Sequence, residues 1–260
     1  MPTGVYGEEL LLAPKGRVTT RIIVLPDADQ TPEMLAGLSE GVAPISQVAL
    51  HFARLGCEVV VPMLINRGSE ASGNPELRIQ TNQSHREWLY RMSFEMGRHV
   101  IGYELQKVFA LVDWMAHKNQ VKSVPIAVAG YGEGGLLAMN AAALDTRISA
   151  ALVSGYLRNR NCLWEEPIYR NVFGLLREFG DAEIAALIAP RPFMVERGHD
   201  DGCGIDEWIA WEYAKVHRLH DRLGLKDRAA IEYFNGPHTI NGKGTFEFLH
   251  KQLNWGPSLQ

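Results

Sequence analysis

Three cysteines in 260 residues are too few for a disulfide framework. Cys57, Cys162 and Cys203 also lack the spacing of metal ligands, so no metal site is expected of them. Long hydrophobic runs are missing: no apolar stretch approaches the ~18 residues a membrane span requires. The opening residues, MPTGVYGEELLLAPKG, contain no basic segment followed by an apolar one. No signal peptide is visible, and a cytoplasmic location is expected unless a leader has been removed. Charge of one sign is scarce as well. A formal charge of −4 gives neither the basic footprint of a nucleic-acid binder nor that of a protein held on anionic membranes. Repeats and low-complexity linkers are absent. The absence with the largest consequence is a single side chain, the one missing at position 132.

What is present is an ordinary globular composition, 46% apolar and 22% charged, long enough for one large α/β domain over residues 1–260. Glu8 to Leu12 and Arg17 to Leu25 read as strands joined by the turn Pro14-Lys15-Gly16. Ile45 to Leu55 reads as an amphipathic helix stopped by Gly56, and Glu58 to Pro62 as a buried strand. Asn66 to Gln83 is a long loop of the kind that tends to be functional. His85 to His117 has helical spacing with a break near Gly97. Short strands follow at Ile126–Ala129, Ala150–Ser154, Pro192–Glu196 and Ala229–Phe234, separated by helices. One of these helices is expected to be capped by Asp206. Residues 158–179 depart from this rhythm and read as an insertion over the edge or mouth of the sheet. Alternation of strand and helix predicts a mostly parallel sheet covered on both faces.

The chain is organised around Val124 to Ala138, VPIAVAGYGEGGLLA. A buried strand stops at Gly130, glycines crowd a sharp turn, and a small-residue helix opens at Leu136. Strand, tight turn and helix form the setting of a nucleophile elbow, whose pattern Gly-x-Ser-x-Gly puts a reactive oxygen at the tip. Gly130 and Gly134 frame the tip, and the tip is Gly132. A glycine-rich phosphate loop is the competing reading. Glu133 in mid-turn would repel phosphate, and no acidic residue sits at the dinucleotide-fingerprint offset.

In open α/β sheets, sites form at the carboxyl ends of strands. Asp200-Asp201 and His238 follow two later strands, in the order nucleophile, acid, histidine. Asp201 is favoured over Asp200 because it lies three residues after Gly198. The bland alternatives are surface-loop acids and a loop histidine bonded to backbone. The Glu133 N–H would supply one oxyanion donor, and the loop near Asp27 and Ala28 the other. Asp27 and Asp29 could equally be solvated turn residues. Tyr131 flanks the tip and is counted with the substrate-binding residues. Trp88, Trp164, Trp208 and Trp211 are candidates for a pocket lining or for core packing.

With these residues placed, the chain resembles the α/β-hydrolase superfamily, and within it the dienelactone-hydrolase and acetyl-xylan-esterase-like branch. GRHVIGYELQKVFALVDWM, IAALIAPRPFMVERG and NGPHTING carry the likeness, from about Leu10 to Leu253. The resemblance implies a serine or cysteine nucleophile, His238 as base, Asp201 orienting it, and backbone N–H groups holding an oxyanion, with no metal or organic cofactor. It implies a small-molecule ester or carbohydrate ester as partner, no nucleic acid or membrane, and leaves a homo-oligomer open. His238 and Asp201 match; Gly132 cannot form an acyl-enzyme. Four explanations stay open: an engineered knockout, a degenerate hydrolase that binds or scaffolds, hydrolysis by a water that His238 and Asp201 activate, or other acid–base chemistry.

Overall fold

The computed structural model describes residues 6–120, 123–202 and 204–254. Cys203 lies outside the described residues. Seven strands form one sheet in the order β1 (Glu9–Leu12), β3 (Cys57–Pro62), β2 (Thr20–Leu25), β6 (Ile126–Tyr131), β7 (Ile148–Ser154), β8 (Phe193–Asp200) and β9 (Ala229–Pro237). All neighbours pair in parallel except β1 and β3. This is the α/β-hydrolase arrangement. The turn at Pro14-Lys15-Gly16 does not make a hairpin, because β1 pairs with β3 and leaves β2 to two parallel neighbours. A second, two-stranded hairpin, β4 (Gly73–Asn74) with β5 (Ile79–Gln80), gives structure to the long loop.

The strands alternate between two cores, as a period of two requires. Ile23 and Leu25 of β2 face the cluster containing α4 (Val100–Lys118) and α5 (Glu133–Leu144). Ile22 and Val24 face the one containing α2 (Val48–Arg54) and Leu249 of α9 (Lys243–Leu253). α5 is buried almost all round, which suits its unbroken run of apolar and small residues. Other helices are α1 (Pro32–Leu35), α3 (His85–Glu95), α6 (Leu175–Glu178), α7 (Asp181–Ala186) and α8 (Asp206–Arg222).

Several boundaries differ from the sequence reading. The predicted helix from Ile45 begins as a 3-10 turn, Pro44–Ser46, and becomes α-helical only at Val48. α5 starts at Glu133 rather than Leu136, because Gly132 alone makes the turn. β8 runs on to Asp200 and β9 to Pro237, since their pairing continues past the apolar stretch. Asp206 does not cap α8. Ile205 holds the cap position, and the Asp206 carboxylate is drawn to Arg197 (2.9 Å) and His199 instead. The break near Gly97 stands where predicted, between α3 and α4.

The sheet reverses direction between β2 and β6: the chain winds outward from β2 through β3, and from β6 through β9 the other way. Such a switch point opens a crevice at the carboxyl ends of its two strands. Asp27 and Gly132 lie just past those two ends.

Candidate active site

Gly132 makes the turn from β6 to α5 with φ 55° and ψ −117°, a backbone conformation that favours glycine. Its N–H donates to Ser154 O at 3.0 Å, and its carbonyl accepts from Leu136 at 3.2 Å. The helix behind it sits very close to the sheet. A Cβ at Gly134 would lie 2.1 Å from the Leu25 carbonyl oxygen, and one at Gly130 1.9 Å from that of Gly134.

His238 follows β9, and its Nδ1 hydrogen-bonds Asp201 Oδ1. The Asp201 side chain is 2% exposed and that of His238 31%. With Nδ1–H donated to the carboxylate, Nε2 is the basic nitrogen. Arg197 stands 3.3 Å from the other Asp201 oxygen. Asp200, in contrast, is exposed and ends the ladder of β8 opposite Pro237. Tyr131 is buried and packs its ring on His238, centroids 4.4 Å apart, so it backs the histidine. Gly155 is the neighbour that leaves room: a Cβ there would meet His238 Cε1 at 3.0 Å.

The histidine loop is fastened from below by Glu196, 1% exposed, on β8. Its carboxylate accepts the N–H groups of Asn241 and Gly242 and the hydroxyls of Ser154 and Thr245. Burial pushes its carboxyl above the ordinary range, against those hydrogen bonds.

Asp27 occupies the other side of the elbow. Its Oδ1 accepts the Glu133 N–H at 2.8 Å. The Glu133 N–H, expected to hold an oxyanion, therefore holds Asp27. Arg67 clamps the same carboxylate with two bonds, Nη2 to Oδ1 at 2.9 Å and Nη1 to Oδ2 at 3.0 Å. Burial alone would raise the Asp27 carboxyl; the Arg67 bonds and charge outweigh it and hold it below its usual value. Asp29 joins this clamp, accepting from Arg67 Nη1 at 2.8 Å.

The Glu133 side chain is fully buried, and Arg67 Nη2, which clamps Asp27, also reaches its carboxylate at 3.5 Å. It accepts from Arg86 at 3.0 Å and from Arg170 at 2.9 Å. Arg170 also reaches Glu166 (2.7 Å), which Arg158 and Arg160 share (2.6 Å each). Tyr169 accepts from Arg67 Nε at 3.1 Å. The 158–179 insertion is thus tied to the elbow by ion pairs. It encloses, against α5, a cavity of about 250 Å³ lined by Leu136, Met139, Tyr156 and Leu175. Gly132, Asp201 and His238 are not in its lining. Trp164 and Trp211 face solvent, 78% and 67% exposed, and Trp208 packs against the core. Among the described residues, no group of three or more His, Cys, Asp or Glu is placed to hold a metal ion.

Sequence reasoning missed Arg67, Arg86, Arg170 and Glu196. The available signal was the run of arginines and glutamates in 158–170, which is unusual for a surface insertion, and the lone glutamate inside the apolar strand of β8.

A family model described as an Abhydrolase family matches residues 1–206. No curated protein matches the chain by sequence. Among solved structures, it is similar to a protein assigned as an acetyl xylan esterase from Bacteroides fragilis, at 20% identity and TM-score 0.64. That match covers 94% of this chain and 70% of the other. A methylesterase matches at 18% identity and TM-score 0.64 over 97% of this chain and 53% of its own, so the chain spans about half that protein's length. A carbohydrate esterase family 15 glucuronoyl esterase from Caldicellulosiruptor kristjansonii matches at 16% identity and TM-score 0.61, covering 97% and 73%. At these identities the likeness is one of fold.

Proposed function

Because the chain belongs to the Abhydrolase family, we propose that it is an esterase-branch hydrolase domain that no longer acylates. In this reading residues 1–260 form one domain that keeps a binding site for a carboxylic or carbohydrate ester and does not cleave it through a covalent intermediate. One observation carries the reading: beside the side-chain-less Gly132, the Asp27 carboxylate sits on the Glu133 N–H. A tetrahedral oxyanion would need that donor and would meet a fixed negative charge there. Ester-bearing carbohydrates suit the site by analogy with the esterases of like fold. The crowding also speaks against a simple knockout, since a side chain at 132 would lie 2.7 Å from Asp27 Oδ1.

A second reading rests on the His238–Asp201 hydrogen bond. A base of this kind can activate water directly, giving hydrolysis without an acyl-enzyme. The two readings part in one experiment. The protein and His238→Ala are assayed with 4-nitrophenyl acetate, and the protein is exposed to a fluorophosphonate probe and weighed intact. Background hydrolysis in both proteins, with no adduct, supports the silent site. Hydrolysis lost in His238→Ala, still without adduct, establishes the water route and overturns the first reading.

A further inference from the structure

We propose that the Asp27 carboxylate is a built-in plug of an anion hole at the elbow, and that opening the hole creates a site for a small monocarboxylate such as acetate. The inference rests on the family reading above and extends it to a ligand class and a residue. Two kinds of donor converge on one carboxylate: the Glu133 N–H from the start of α5 and both terminal nitrogens of Arg67. These come from two separate stretches of the chain. A planar guanidinium fork opposite a backbone N–H is a geometry matched to carboxylate. Asp27 satisfies it from within. The plug lies across the switch-point crevice between β2 and β6, where this fold class places ligands.

The plug and the missing nucleophile are coupled sterically. A Cβ built on Gly132 falls 2.7 Å from Asp27 Oδ1, 2.8 Å from its Cγ and 3.3 Å from its Cβ. The carboxylate cannot swing aside without giving up the Arg67 clamp. A side chain at 132 and a seated Asp27 therefore exclude one another. Restoring serine at 132 alone sets it against Asp27 for one space; emptying the hole alone leaves no nucleophile.

The test has a binding arm and an activity arm. In the binding arm, thermal unfolding is followed with 100 mM sodium acetate against sodium chloride at equal ionic strength. Asp27→Ala should gain about 2–4 °C from acetate. The parent protein and Asp27→Asn, whose amide keeps the hole filled, should gain nothing over chloride. Asp27→Ser is a second opening variant, short enough to empty the hole and able to meet Arg67 through its hydroxyl. If neither opened variant responds to acetate, or if the parent responds equally, the plug is refuted. In the activity arm, Gly132→Ser, Asp27→Ala and the double variant are assayed with 4-nitrophenyl acetate. The double variant should exceed both single variants by about 10³-fold, the scale on which triad members act, and should lose that gain on His238→Ala. Gly132→Ser alone matching the double variant would overturn the coupling. Activity of the parent that depends on His238 would instead overturn the silent-site reading and leave the acetate result standing, so the two failures are told apart.

Discussion

Arg86 donates to Glu133 Oε1 at 3.0 Å, and neither side chain is exposed to solvent. The pair joins the start of α3 to the turn of the elbow. Arg86 also serves Glu104 of α4 at 3.2 Å and the Ile65 carbonyl at 2.8 Å. One guanidinium thus fixes the long loop, a core helix and the elbow. Glu133 consequently has two roles. Its N–H meets Asp27 and its carboxylate meets the arginines, which explains why an acid is tolerated in mid-turn.

Removing Arg86 would take one partner from each of two buried carboxylates, leaving Glu133 with Arg170 and Glu104 with Lys107 and the Ile65 N–H. Arg86→Met is expected to cost about 1.5–3 kcal/mol, the scale of a lost hydrogen bond to a charged group, because each carboxylate keeps another cation. Urea unfolding at equilibrium measures this directly. A loss below about 1 kcal/mol, the worth of a surface pair, would mean that the remaining partners of Glu133 and Glu104 compensate for Arg86 in full.

Acid should dissolve the insertion's ion pairs in a defined window. Burial favours a neutral Glu166, but hydrogen bonds from Arg158 and Arg170 and the charges of Arg160 and Arg170 prevail and hold its carboxyl at about 2 instead of 4.5. A carboxyl depressed in the folded state contributes stability that is fully present above 4.5 and is lost as pH falls toward 2. The drop corresponds to on the order of 3 kcal/mol. The stability gap between the protein and Glu166→Gln should be widest near pH 6 and close progressively below pH 4.5. A gap independent of pH would show that Glu166 is not held by charge.

Much of the frame was legible because burial leaves periodic traces. The apolar runs of β2 and β6, the helical spacing in α4 and the glycine pair around the tip all encode close parallel packing, and the positions of Asp201 and His238 follow from strand ends. The remainder depends on contacts that no local pattern records. Arg67, Arg86 and Arg170 lie in a loop, a helix and an insertion, and only the folded chain brings them to Asp27 and Glu133. Asp206 shows the same limit. It has the residue type of a cap, yet Arg197 and His199 on the neighbouring strand compete successfully for its carboxylate.

Arg170 is the latch of the insertion, bonded to Glu133 at 2.9 Å and Glu166 at 2.7 Å. The segment it holds exposes Trp164, Phe173 and Phe179. Without the latch, local opening should become easier. Arg170→Met is expected to be cut by chymotrypsin within 158–179 about tenfold faster, equivalent to about 1.4 kcal/mol less opening free energy. Equal cleavage rates would place the hold elsewhere, in Arg160 and Asp181.

Two glycine-to-alanine changes separate close packing from conformational freedom. At Gly134 the added methyl would lie 2.1 Å from the Leu25 oxygen and 2.5 Å from that of Pro26, both backbone atoms that cannot swing away. The strand β2 and helix α5 would have to part, and with them Asp27 and the Glu133 N–H. A loss of about 3 kcal/mol, the upper end for overpacking, is expected. At Gly102, inside α4, a Cβ meets nothing within 4 Å. There the same change should stabilise by about 0.4–1 kcal/mol, because alanine has less freedom to lose on folding and favours helix. Denaturant midpoints of the two variants, read at unchanged slope, give both values. If Gly134→Ala proved as stable as the parent, the strand and helix could yield without penalty, and the tight approach that seats Asp27 on the elbow would not be enforced by this glycine.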